Sequence, residues 1–194
     1  MDKNEIKFLE QLEKSDIFNE NIIKLQNDID IFAGVKKVIA VTSVDNNFLS
    51  GVCIKHLAKK YAENNQKTLV IDANLNTPLL QELYETEIIE SNDKILKIND
   101  YLDVMPATKE IYSAKKLMSD EFVGLIDNAK NSYDRILILV SPVVTNKEIL
   151  VFKDIIETSI LITKKDDTLM KNVRSSVEFI KKHQIPFAGA VLLK

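Results

Sequence analysis

Short apolar runs alternate with stretches of helical spacing along most of the chain. Segments 38–42, 69–71, 102–105, 136–140, 159–163 and 187–193 are rich in Val, Ile and Leu, with little charge inside them. Runs of that length and composition predict strands buried on both faces. Between them, Ile6, Leu9 and Leu12 predict a helix over 4–14. Ile22, Leu25, Ile29 and Phe32 predict a second over 20–32, with Ser15-Asp16 offering an N-cap between the two. A helix over about 51–64 would turn Val52, Ile54, Leu57, Ala58 and Tyr61 inward, after a loop at 43–50. Asn76-Thr77-Pro78 opens another, carried on by Leu79, Leu80 and Leu83, since proline in a first turn gives up no needed donor. Further helices are expected at 113–118, at 120–131 with Phe122, Leu125, Ile126 and Ala129 inward, at about 147–157, and from a cap at Asp166-Asp167-Thr168 to about 182. Residues 85–101 are polar and show no period.

Continuous apolar strands alternating with helices predict the α/β class: a mostly parallel sheet in a three-layer α-β-α sandwich. At 194 residues the chain suits a single domain, 1–194, with the N-terminal helices at about 4–32. Such sheets bind ligands beyond the carboxyl ends of their strands, here 43–50, 72–77, 141–145 and 164–168. Charge narrows the partners: a net charge of −3 gives no reason to expect nucleic acid. The polar start MDKNEIK is no signal peptide, and no apolar run reaches the ~18 residues of a membrane span. The single Cys53 forms no internal disulfide, which fits a reducing cytoplasm. His56 and His183 lack a partner at metal-ligand spacing and read as structural, and Cys53 as a small core residue. Asp45 and the lysine pairs at 36–37, 59–60, 115–116, 164–165 and 181–182 read as solvated surface.

Three motifs stand in order. Val41-Thr42-Ser43 is followed by a loop and a helix containing His56-Leu57-Ala58; LVIDANLNTP spans 69–78; YDRILILVSP spans 133–142. LDVMPA at 102–107 and SAKKLM at 113–118 lie between the last two. Together these resemble the bacterial tyrosine kinases of capsular and exopolysaccharide biosynthesis, within the MinD/ParA-like P-loop NTPases, over about 18–194. The resemblance implies a P-loop NTPase-like fold and a site at the first loop, where glycines, a lysine and a hydroxyl residue would hold Mg²⁺ and phosphates.

The departures fall on that chemistry. Aligned without gaps, Asn47 and Leu49 stand at the loop glycines, Ser50 at the lysine and Gly51 at the Mg²⁺-binding hydroxyl. No Lys or Arg lies between Val38 and Ile54. In the second motif Asp72 is kept, Asn74 replaces the second acid and Asn76 a basic residue; in the third, Leu139 replaces an acid. Each lost contact to a charged group is worth ~1.5–3 kcal/mol. Asp72 reads either as a remnant of a metal site or as a strand-end acid capping the next turn. The family's ring-assembly motif, Glu-x-x-Arg-x-x-Arg, falls on Glu20, Ile23 and Gln26, and the five tyrosines are scattered rather than gathered in a tail.

The expectation is a catalytically degenerate tyrosine-kinase-like protein acting as an interaction or regulatory module, with no cofactor and no catalytic residue. The family implies a membrane-bound modulator of polysaccharide chain length, or a paralogous active kinase, as partner, and a cytoplasmic location with recruitment to the inner face of the membrane. The alternative is an active autophosphorylating tyrosine kinase that binds ATP and Mg²⁺ through replacement groups, such as Lys55 pointing outward from its helix. Motif erosion leaves the oligomeric state open.

Overall fold

The structure is a computed structural model that describes residues 3–74, 77–88, 90–91, 95–107, 117, 119–165 and 167–193. Two helices open it, α1 (Lys3–Glu13) and α2 (Asp16–Ala33). Ser15 caps α2 as its sequence position predicts, its hydroxyl accepting from the Phe18 N–H. Gly34 ends α2 at a positive φ of 58°, a conformation glycine adopts without a steric penalty. Then follow β1 (Val38–Ser43), α3 (Asn47–Glu63), β2 (Thr68–Asp72), α4 (Leu80–Tyr84), β3 (Glu90–Ser91), β4 (Leu96–Asn99), β5 (Leu102–Met105), α5 (Asp120–Ser132), β6 (Arg135–Leu139), β7 (Thr158–Lys164), α6 (Met170–Lys182) and β8 (Gly189–Leu193).

The strands form one sheet in the order β3-β4-β5-β2-β6-β1-β7-β8. It is parallel from β5 to β8, with β3 and β4 added antiparallel at one edge. Alternation of side chains divides the core in two. Ile39, Val41, Val70, Leu137, Leu139, Ile160 and Ile162 face α1–α4; Val38, Ala40, Leu69, Ile71, Ile136, Ile138 and Leu161 face α5 and α6. The expected three-layer α/β sandwich is therefore borne out.

The N-terminal helices are fastened to this frame by a polar cluster. Arg135 of β6 pairs with Asp30 of α2 at 2.9 Å and lies 5.3 Å from the Tyr61 ring of α3, whose hydroxyl donates to Asp30 at 3.0 Å. At the start of β1 the Glu157 carboxylate accepts from the N–H groups of Lys37 (2.5 Å) and Val38 (3.1 Å). Burial works to raise the pKa of Glu157, but those donors and the Lys130 ammonium outweigh it and hold the carboxyl below its ordinary value.

Several expected elements change. Phe32 is not inward: it is exposed, and Ala33 takes the buried place one turn after Ile29. The polar stretch 85–101 contains a 3₁₀ turn (Glu85–Glu87) and the two strands β3 and β4. The helix expected over 147–157 is a 3₁₀ segment, Glu148–Phe152, followed by turns. Bonds from Leu150 N to Lys147 O and Ile155 N to Phe152 O wind it tightly enough to bury Ile149, Phe152 and Ile156 together. Helix α6 begins at Met170 with Leu169 at its N-cap and no side-chain cap, so Asp167 and Thr168 do not cap it; Asp166 lies outside the described residues. So do Leu75 and Asn76 of the second motif and all of 113–118 except Leu117.

Candidate functional site

The carboxyl ends of β1, β6 and β2 lie side by side, with Val41 opposite Leu139 and Leu139 opposite Asp72. This is where the parallel sheet places a ligand. The expected loop at 43–50 is not there. Only Val44, Asp45 and Asn46 separate β1 from α3, because Asn46 caps a helix that starts at Asn47, its side-chain oxygen accepting from the Leu49 N–H at 3.2 Å. The start of the connection is held by its neighbours. Val44 N donates to Ile162 O (3.0 Å), while Val44 O and Ser43 O accept from Val144 N (3.1 Å) and Val143 N (2.9 Å).

The positions singled out in the sequence are thus helical or interior. Asn47 donates from Nδ2 to the Thr77 carbonyl at 3.0 Å. Leu49 belongs to the same core as Val41 and Leu139, and Leu139 is fully buried. Ser50 is also fully buried, its hydroxyl donating to Asn47 O at 2.8 Å. Gly51 lets α4 close on α3: a Cβ there would lie 2.5 Å from Leu79 Cδ2 and 3.0 Å from Leu83 Cδ1. Phe48 turns away from the sheet end toward Phe8 of α1, the ring centroids 6.1 Å apart.

Asp72 is fully buried at the end of β2. Its Oδ2 accepts from the N–H groups of Leu79 (2.7 Å) and Leu80 (2.9 Å), and its Oδ1 from Asn74 N (3.1 Å). Of the two readings open for this acid, the geometry is that of the cap: it closes the turn into α4. Burial raises its pKa above the ordinary 3.8, and the three donors offset part of that rise. Asn74 stitches the same turn to β6, its Oδ1 accepting from Thr77 N (3.2 Å) and the Ser141 hydroxyl (2.9 Å). The Ser141 hydroxyl shares its one proton between Asn74 and the Glu148 carboxylate, which Asn146 contacts at 2.7 Å. Beside Asp72 opens a cleft of about 340 Å³ lined by Pro78, Gln81, Glu82, Glu85, Ile88 and Ala107, a mainly acidic and apolar set.

Lys55 does not point outward. It is buried, its Nζ donating to Leu83 O at 3.0 Å and pairing with Glu87 at 2.7 Å. The charge proposed to replace the loop lysine instead fastens α3 to α4 and the turn after it. His56 is buried with the Phe18 ring edge-on at 4.9 Å, and His183 lies against Phe179 at 4.5 Å. Asp45 is exposed and accepts from the Thr168 hydroxyl at 3.2 Å. No group of three or more His, Cys, Asp or Glu suited to a metal ion occurs among the described residues. No helix among them is long and apolar enough to cross a membrane. On α2, Glu20 and Ile23 are exposed while Gln26 is buried and accepts from Asn64 at 3.4 Å. Tyr61 and Tyr84 are fully buried and Tyr133 donates to Asp103 at 2.7 Å; Tyr112 lies outside the described residues.

Asn46, Glu87 and Glu148 organise this end of the sheet from outside the motifs, while Thr77 and Ser141 lie within motifs but had no role assigned to them. Asn46 had a local signal, an Asn directly before an apolar helical period. The others are joined only by the fold.

Cys53 sits in the core of α3, where burial pushes its thiol up to about 12. It should therefore resist a thiol reagent in the native protein at pH 8 and react stoichiometrically once the chain is unfolded in guanidinium. Labelling within minutes under native conditions would show that α3 opens readily.

No family model matches the chain, and neither does any curated protein. Solved structures do. The kinase domain of Escherichia coli tyrosine kinase ETK superposes with a TM-score of 0.78 at 20% identity, over 90% of this chain and 74% of that one. The chimerical protein CapA2B2 gives 0.78 at 22% identity, over 93% and 86%. The MinC:MinD cell division complex of Aquifex aeolicus gives 0.63 at 15% identity, over 80% and 68%. The fold is the one these proteins share, as the motif resemblance anticipated.

Proposed function

We propose that this chain is a tyrosine-kinase-like protein of capsular or exopolysaccharide biosynthesis that keeps the fold as an interaction or regulatory module and does not transfer phosphate. The observation that carries the reading is the closure of the strand-end loop into the first turn of α3. A phosphate cradle needs free backbone N–H groups and a cation at that point. Here Val44 N and Leu49 N are already bonded, and Lys55 is committed to Leu83 and Glu87. The residues present do not fit an Mg²⁺-nucleotide. Ser50 is fully buried, Gly51 is walled in by Leu79 and Leu83, Leu139 is core, and the cleft beside Asp72 is lined by Glu82 and Glu85. Both the eroded ring motif and the burial of Tyr61 and Tyr84 agree with this assignment. Its partner would be a membrane-bound modulator of polysaccharide chain length or a paralogous active kinase, met at the inner face of the membrane.

Isothermal titration with ATP and with ADP, each with and without Mg²⁺, should give no heat of binding up to millimolar nucleotide. A micromolar dissociation constant would overturn the proposal and return the chain to the active kinases.

A further inference from the structure

The two edges of the sheet are built differently. At one, β3 is two residues long, Glu90-Ser91, and antiparallel to its neighbour. At the other, β8 reads Gly-Ala-Val-Leu-Leu, five residues without a charge or a proline. Proteins usually blunt an edge with Lys, Pro, a bulge or a short strand, and β8 has none of these within it. Its backbone orientation follows from one bond: Lys165 N donates to Leu193 O at 2.8 Å. Alternation then turns Gly189, Val191 and Leu193 toward β7, and leaves the N–H and C=O of Ala190 and Leu192 directed away from the sheet. The Leu192 side chain is 56% exposed. On the other face of β8, Val191 and Leu193 lead into a groove of about 600 Å³ whose wall includes Phe8 and Leu12 of α1 and Ile17 of α2. Ile17 is 73% exposed.

The geometry points to a second copy of this chain as the occupant of that edge, paired antiparallel through β8 about a two-fold axis at Val191. The outward groups are self-complementary in this register. Ala190 would exchange both backbone bonds with Leu192 of the other copy, and Leu192 with Ala190, while Val191 faces Val191 as a non-bonded pair. Because the strand carries no charge, two copies bring no like charges together along it. The adjoining groove adds apolar surface beside the strand, toward the roughly 800 Å² per partner that a stable interface buries. This inference does not depend on the loss of phosphoryl transfer.

Three variants of the full chain test it by sedimentation velocity from about 5 to 500 µM and by oxidative cross-linking. Ala190→Pro removes an outward donor without touching the β7 ladder, where an edge strand tolerates proline. Val191→Cys places two thiols across the axis at roughly 4.5 Å between Cα atoms, within disulfide reach, and Leu192→Cys does not. The expected result is a concentration-dependent dimer whose dissociation constant rises about tenfold or more in Ala190→Pro, the equivalent of one or more factors of ten in affinity. Its circular dichroism should stay unchanged, as should its melting at concentrations where both proteins are monomeric. Val191→Cys should cross-link to a dimer under mild oxidation and Leu192→Cys should remain monomeric on a non-reducing gel. A monomer at every concentration overturns the inference and leaves the edge to a strand from another protein. A dimer unaffected by Ala190→Pro, or cross-linked equally through both cysteines, overturns it in favour of a different face.

Discussion

Putting back the residues that the family resemblance places in the loop, Ser50→Lys with Gly51→Thr, is expected to lower the melting temperature by about 10 °C and to leave ATP binding undetected. Position 50 is fully buried and its hydroxyl is spent on Asn47 O. A lysine there must either bury its ammonium or force the first turn of α3 open, a cost of several kcal/mol in the first case. At position 51 even a Cβ presses on Leu79 and Leu83, and a β-branched side chain adds two atoms to the same space. Overpacking of that kind costs roughly 1–3 kcal/mol, less a few tenths returned by replacing a helical glycine. A combined loss of about 3–5 kcal/mol is a large share of a typical domain stability, and at this chain length each kcal/mol moves the midpoint by about 2–4 °C. Scanning calorimetry and nucleotide titration on the double variant decide the matter. Unchanged melting together with micromolar ATP affinity would mean that the loop opens at little cost and that only two side chains separate this protein from a nucleotide site.

Much of the frame was legible because it rests on local rules. Buried parallel strands must be apolar on both faces, so β1, β2, β5, β6 and β7 stood out as runs, and Ser15 announced α2 by its cap. What the sequence concealed depends on contacts between distant segments. Residues 90–99 pair by adding to an existing edge, and Leu96 and Ile98 show an alternation too short to separate from a loop. Phe32 has a helical period in register with Ile29, yet the face it joins lies outside the packed layer. Lys55 reads as a surface residue by composition. In the fold α3 is covered by the sheet on one side and by α2 and α4 on others, so the ammonium has to find its partners inside. The same crowding explains the strand-end site. Its departures from the family pattern could be located by alignment, but alignment could not reveal that a glycine at 51 and an asparagine at 46 favour closure of the loop.

Asp72 gives the second large effect, and its sign separates a cap from a metal ligand. Asp72→Ala is expected to destabilise the protein by about 3–5 kcal/mol, since it strips acceptors from three N–H groups, those of Asn74 and Leu80 being buried; an unpaired buried donor costs about 1–3 kcal/mol. Asp72→Asn keeps one acceptor oxygen but presents an amide to a remaining donor, and should cost about 1–2 kcal/mol at neutral pH. Urea unfolding should register both as a lower midpoint at constant slope. The pH dependence follows from the raised carboxyl pKa. A group whose folded pKa lies above its unfolded value of 3.8 favours the folded state fully below that value, and loses this contribution as pH rises through the folded pKa. The asparagine does not titrate, so the gap between wild type and Asp72→Asn should be widest near pH 4 and narrow toward pH 7. A residue retained for metal chemistry behaves oppositely: its removal leaves stability unchanged or raises it, as relief of a strained site commonly does, and Mg²⁺ raises the melting point of the wild type alone. Either of those results would assign Asp72 to the lost site rather than to the turn that replaced it.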